Sequence, residues 1–298
     1  MSLREFGEKW IDVGGVRTRY FDAGIGPAIV FIHGGTIGDT QSAANGEDWE
    51  LNFGPMVARG YRCITIDKLG QGFTGNPLET ADWTMAGQVR HVQALIRKLN
   101  AGPCHLVGHS RGGYIAARVT MESPELARSC TVVDSNTIAP GFGRNDIVFA
   151  ADPNPPWSRE AAAYTYRHYS YGAEHISDEW VDVSAKILNL EKSRAASHAM
   201  QKGLYENVFL PGLRADRKSL FERLANDGLL RPTLLIWGFN DPTSPVHLGY
   251  GVYDLMTRHQ PRTHMHVLNR AGHYSYRERP QEFNRVLHEF AAGTMYGA

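Results

Sequence analysis

The five residues Gly108-His109-Ser110-Arg111-Gly112 constrain this chain more than any other stretch, because they fit Gly-x-Ser-x-Gly between two different kinds of segment. Before them, Cys104-His105-Leu106-Val107 reads as a short buried strand; after them, Tyr114-Ile115-Ala116-Ala117 continues as a helix. A strand, a sharp turn and a helix in that order push a serine hydroxyl out at the top of a sheet, and the turn is strained in doing so. Glycine on either side removes the Cβ atoms that would clash in so tight a bend. Taken alone, five residues are also an ordinary Gly-rich turn. The rest of the chain decides between the two readings.

That remainder alternates. Residues 10–21 read as two short strands about the Gly14-Gly15 turn, and Ala28-Ile29-Val30-Phe31-Ile32 is a continuous apolar run of strand length. A helix is expected over about 49–59, a strand over 61–67, an amphipathic helix over 85–99 and a strand over 129–134. From 140 to 226 the rhythm breaks into helical patterns rich in Tyr, His and Trp, with turns at Pro153, Pro155 and Pro156 and no β-type run. Alternation returns with a strand over 233–237, a helix over 246–258, a strand over 263–268 and a helix over 280–291. Continuous apolar strands separated by helices imply a sheet covered on both faces. The expected fold is therefore α/β: a mostly parallel eight-stranded sheet with helices on both faces. Residues 1–139 and 227–298 form its core, and 140–226 an inserted helical cap over the sheet edge where such folds place their chemistry.

Composition narrows the functions on offer. Lys plus Arg and Asp plus Glu are both 31, so the formal net charge is zero and no electrostatic footprint for nucleic acid or an anionic membrane follows. The first ten residues lack a signal-peptide pattern and no run approaches a membrane span. Cys63, Cys104 and Cys130 all fall in expected buried strands, which argues for reduced core thiols and a cytoplasmic location. The expected partner is a small-molecule substrate, with no nucleic acid, membrane, metal or cofactor, and a homodimer left open.

Four features lie at expected strand ends: His33-Gly34-Gly35, Ser110, Asp241 and His273. Their order, Ser then Asp then His, is the one this fold uses for a nucleophile, its acid and its base. A serine hydroxyl needs a base to take its proton, and an imidazole with a reference pKa near ~6.5 suits that task. A carboxylate at Asp241 would fix the imidazole tautomer and stabilise the imidazolium. Backbone N–H groups must face the oxyanion, and Arg111 with Gly35 are the natural pair; one such donor is worth on the order of 3 kcal/mol of barrier. Asp134, which also ends a strand, is the rival acid, and Asp241 is preferred because Gly-x-x-Asp before a helix is the commoner arrangement. Asp241 could instead merely cap that helix. His33 is read as a buttress of the oxyanion turn, and His264 and His266 as strand surface with no carboxylate at hand to complete a metal site.

On these residues the chain resembles the α/β-hydrolase superfamily throughout. Within it, the chain is most similar to the meta-cleavage product hydrolases, which split a C–C bond in ring-opened catechols. The similarity runs through His33-Gly34-Gly35, Trp49, Asn52, Pro55, Gly60-Tyr61-Arg62, Asp67 and Gly70-Gln71-Gly72. It continues through the Ser110 elbow to Asp134-Ser135-Asn136 and Ala139-Pro140-Gly141. The resemblance implies that His273 helps ketonise a dienol and that Ser110 then supports addition to the carbonyl. It also implies substrate contacts at Gly34, Asp48, His109 and Tyr274. Here His109 and Asp48 stand where that subfamily has Asn, and Tyr274 where it has Trp. An arginine expected on the cap to grip the substrate carboxylate is missing from Val183-Ser184-Ala185-Lys186, leaving Lys186 or Arg194 to substitute. Trp157, Tyr164, Tyr166, Tyr169 and Trp180 are expected either to hold the apolar end of the substrate or to form the cap's own core.

Three functions are compatible with this pattern. The first is a cofactor-independent C–C hydrolase acting beside a carbonyl. The second is a carboxylesterase, lactonase or amidase using the same three residues, and the third a binding protein on the same fold. A dehalogenase or epoxide hydrolase is disfavoured, because those carry an aspartate where Ser110 stands.

Overall fold

The computed structural model describes residues 3–296. Met1, Ser2, Gly297 and Ala298, at the ends of the expected core segments, lie outside the described residues. Eight strands build one sheet: β1 Lys9–Val13, β2 Val16–Ala23, β3 Ala28–Ile32, β4 Arg62–Ile66, β5 Cys104–His109, β6 Ala127–Val133, β7 Thr233–Gly238 and β8 Thr263–Leu268. Their order is β1-β2-β4-β3-β5-β6-β7-β8. The pairs β1–β2 and β2–β4 are antiparallel, and every other pairing is parallel. The hairpin between β1 and β2 turns on Gly14 and Gly15, whose φ values of 62° and 84° suit glycine in a two-residue turn.

Alternation within single strands shows why the apolar runs are continuous. Ile29 and Phe31 of β3 pack on one face of the sheet with Trp49, Phe53, Phe283 and Leu287. Val30 and Ile32, one residue out of step, pack on the other face with Val92, Ile115 and Val252. Helices Glu50–Ala58 and Pro280–Ala291 cover the first face; Met85–Lys98, Arg111–Glu122 and Val246–Thr257 cover the second. A strand buried on both sides has no polar face to show. All three cysteines are buried and unpaired.

Because β3 and β5 to β8 run parallel, their carboxyl ends share one edge. Between β6 and β7 the chain forms helices Asn145–Ala150, Arg159–Tyr169, Asp178–Leu188, Glu191–Ala199, Met200–Phe209 and Leu210–Asn226. Met200–Phe209 is wound more widely than an α-helix, and Gly203 breaks it with a φ of 118°. No helix among the described residues is long and apolar enough to cross a membrane.

One local expectation changes. His266 is not bare strand surface: its Nε2 lies 3.0 Å from Glu282 Oε1 on the C-terminal helix, so a carboxylate does stand nearby. The helix expected over about 49–59 runs from Glu50 to Ala58, directly after a separate turn over Gly46–Trp49 that Asn45 and Asp48 cap.

Candidate active site

Ser110 follows β5 directly, with φ 53° and ψ −123°, a backbone conformation that side chains rarely adopt. Its N–H donates to the Val133 carbonyl at 2.8 Å, which ties the turn to the neighbouring strand. A Cβ at position 112 would sit 2.2 Å from the Ile32 carbonyl oxygen, so the helix can approach the sheet this closely only on glycine. Arg111 opens that helix, and a first-turn N–H has no acceptor within its own helix.

The loop after β8 carries His273, buried at 2% exposure, and the loop after β7 carries Asp241, at 4%. His273 Nδ1 lies 2.7 Å from Asp241 Oδ2. A carboxylate accepts, so Nδ1 holds the proton and Nε2 carries the free lone pair. Asp241 Oδ1 accepts from Thr243 N, Thr243 Oγ1 and Ser244 N at 2.8, 2.9 and 2.8 Å, which fixes the carboxylate plane. The His273 N–H donates to the Tyr169 carbonyl at 2.7 Å, anchoring the histidine loop to the end of helix Arg159–Tyr169.

Ser110 and His273 open onto one cavity of about 630 Å³. Among the described residues no hydrogen bond joins Ser110 Oγ to the His273 ring, whose partner is Asp241. Gly34, Gly35, Asp48, His109, Arg111 and Tyr274 line the same cavity.

Asp134, the rival acid, is held elsewhere. It accepts from Gly238 N at 2.6 Å and from Ser275 Oγ at 2.5 Å. Burial, and then the nearby negative charge of Asp241, push its carboxyl well above the usual range.

His33 is fully buried; its Nε2 accepts from Lys68 N at 3.1 Å, so its Nδ1–H donates to the Gly34 carbonyl at 2.8 Å. Burial, then the Lys68 charge, lower its pKa well below the ordinary value, which keeps it neutral in that orientation. His109 donates from Nε2 to the His273 carbonyl at 2.7 Å, leaving Nδ1 buried without a partner among the described residues. Asp48 accepts from Trp180 Nε1 at 2.8 Å and from Asn45 N at 3.1 Å. Burial raises its carboxyl to about 7.

Lys186 and Arg194 are not in the cavity. Lys186 is on the exposed side of helix Asp178–Leu188, with Nζ 5.5 Å from the centre of the Phe73 ring. Arg194 lies over Trp157 at 4.3 Å and bonds Asn189 Oδ1 at 2.6 Å. Both belong to helices whose opposite faces are the buried ones, so their side chains are carried outward. Of the five expected aromatic residues, Tyr166 and Tyr169 reach the cavity wall. Trp180 stacks behind Tyr166 at 3.7 Å with 4° between planes, as core.

Sequence reasoning missed Asp39, Thr36 and Tyr205, which also line the cavity, and the side chain of Arg111, which it valued for its N–H alone. It also missed Lys68, fully buried, whose Nζ donates to the Gly35 carbonyl at 3.3 Å and pins the turn. A charged residue just after the serine, and another just after Asp67 at the end of β4, were the available signals.

The alpha/beta hydrolase family matches residues 29–286 of this chain. A 2-hydroxy-6-oxo-6-(2'-aminophenyl)hexa-2,4-dienoic acid hydrolase of Metapseudomonas resinovorans is 26% identical over 288 residues, covering 95% of this chain and 90% of that protein. A 2-hydroxy-6-oxononadienedioate/2-hydroxy-6-oxononatrienedioate hydrolase of Paraburkholderia xenovorans is 27% identical over 285 residues, covering 94% and 92%. Among solved structures, a serine hydrolase involved in carbazole degradation superposes with a TM-score of 0.73 at 26% identity, covering 96% of this chain and 98% of its own. With nearly its whole length matched, the chain belongs to the alpha/beta hydrolase family and is a hydrolase.

Proposed function

We propose that this hydrolase cleaves a C–C bond beside a carbonyl in a ring-opened aromatic product, using Ser110, His273 and Asp241. The observation that carries the reading is the His273–Asp241 pair, held at 2.7 Å and opening onto the same cavity as a serine on a strained turn. The choice of bond rests on the relatives, whose names describe hydrolases of hydroxy-oxo dienoates. The helices between β6 and β7 act as the cap that encloses the substrate.

His273 Nε2 first moves the proton of the dienol to the far carbon of the conjugated chain, which leaves the scissile bond between two carbonyl-bearing fragments. The same nitrogen then takes the Ser110 proton as Oγ adds to the reacting carbonyl. The N–H groups of Arg111 and Gly35 receive the oxyanion. As the C–C bond breaks, its electron pair passes into the keto acid fragment as an enolate, which the imidazolium protonates. Water, deprotonated by His273, releases the acid from Ser110. Asp241 holds the imidazole through both proton transfers.

A yellow ring-fission product mixed with the protein is expected to lose its absorbance, and Ser110→Ala to slow that loss by about 10⁴-fold or more. Wild-type rates in the variant would remove the reading. Turnover of p-nitrophenyl esters with no decay of any dienoate would move it to acyl transfer.

A further inference from the structure

We propose that the guanidinium of Arg111 is the anion grip of this cavity and makes the enzyme selective for substrates that carry a free carboxylate. This rests on the cavity being the active site, as inferred above.

Three other arginines largely withdrawn from solvent are matched to acids. Arg19 binds Asp67 at 2.7 Å and Glu47 at 3.0 Å, Arg277 binds Glu50 at 2.7 Å, and Arg118 binds Glu122 at 2.5 Å. Arg217, which also lines the cavity, is matched to carbonyls instead: its Nη2 donates to those of Ala139 and Gly141 at 2.9 and 3.1 Å. Arg111 has no such arrangement: among the described residues it forms no ion pair with a carboxylate. Its Nη1 donates to Thr36 Oγ1 at 2.5 Å, and its guanidinium carbon lies 5.1 Å from the centre of the Phe209 ring. Both neighbours are neutral.

Asp39 is the acid on the same wall, and its Oδ1 is already taken by the N–H groups of Gln41 and Ser42 at 2.9 and 3.3 Å. Burial pulls the Arg111 pKa down by more than the Tyr205 hydroxyl, which hydrogen-bonds it, and the nearby Asp39 carboxylate raise it. A planar fork of donors is matched best by a carboxylate that brings two oxygens.

Position adds to chemistry. Arg111 follows the serine, so its Cα is about 3.8 Å from that of Ser110. A substrate whose carbonyl sits at the serine and whose carboxylate sits at the guanidinium is held at two points, and that fixes which bond lies over Oγ. The same arrangement explains how the cavity can serve an anionic substrate although Lys186 and Arg194 point away from it.

The test compares one dienoate with its methyl ester, which keeps the carbon chain and removes the charge. Wild type is expected to prefer the acid in kcat/KM, and Arg111→Gln to cut that preference about 100-fold, chiefly through KM. Arg111→Lys should retain part of it, since the charge remains and the fork is lost. Thr36→Val, which removes only the hydroxyl against Nη1, should lower the preference less and in the same direction. The ratio is internal to each variant, so a general loss of rate does not move it. An Arg111→Gln ratio within threefold of wild type, or a wild type that treats acid and ester alike, would overturn the assignment. Should no dienoate be turned over, the same ratio is read on the p-nitrophenyl half-ester of succinate against p-nitrophenyl butyrate. The reaction class can thus fail while the grip stands, or the reverse.

Discussion

Asp48 is the residue whose protonation the fold controls most openly. Its carboxyl lies at the cavity wall, and burial lifts it from an ordinary value of 3.8 to about 7. The folded state therefore holds this proton where the unfolded chain has released it, so stability from this group is complete below about pH 4 and drains away as pH rises toward 7. The full span is on the order of 4 kcal/mol. Asp48→Asn cannot ionise, so its stability relative to wild type should climb between pH 4 and 8. Urea unfolding at several pH values measures this, and parallel profiles for the two proteins would refute it. At this scale the sequence was legible where chemistry and strand ends coincide. Ser110 and Asp241 follow continuous apolar runs and His273 follows the last expected strand, so their shared edge could be inferred without coordinates. Lys186 and Arg194 could not be placed the same way, because the facing of a cap helix depends on what it packs against. In helix Asp178–Leu188, Trp180, Val183, Ser184 and Ile187 took the inner side and Lys186 was left outside.

At the scale of elements, Glu278 joins parts that the sequence kept far apart. Its Oε2 accepts from Tyr171 N and Gly172 N at 2.8 and 3.0 Å, while Oε1 accepts from Gly272 N at 2.7 Å. One carboxylate thus fastens the end of helix Arg159–Tyr169 to the loop bearing His273. Glu278→Ala should cost about 2 kcal/mol of stability. It should also lower kcat at least tenfold, with faster amide exchange at Tyr171 and Gly172. Unchanged exchange there would show that the tether is idle. The sheet itself was readable almost strand by strand, since a strand covered on both faces must be apolar throughout. The cap was readable only as helical. Its wide-wound stretch Met200–Phe209 has no signature beyond Gly203, where the chain kinks.

For the whole molecule, the cavity takes its walls from both the sheet edge and the helices between β6 and β7, with Gly34 and His273 on one side and Met200 and Tyr205 on the other. A ligand that fills it must stiffen the two parts together. Ser110→Ala, soaked in a dienoate at 100 times its Kd, should gain about 2.7 kcal/mol against unfolding in a single cooperative transition. Two separate transitions, with one unmoved by ligand, would show that the parts are not coupled.

The bond from the His273 N–H to the Tyr169 carbonyl limits how such an enzyme can breathe. Were the chain to swing away at Tyr169, it would drag on His273 and strip it of its alignment with Asp241. Phe142, 88% exposed, lines the same cavity two residues before Arg144, whose N–H donates to the Thr243 carbonyl at 2.7 Å, so this rim too is tied to the loop that bears Asp241.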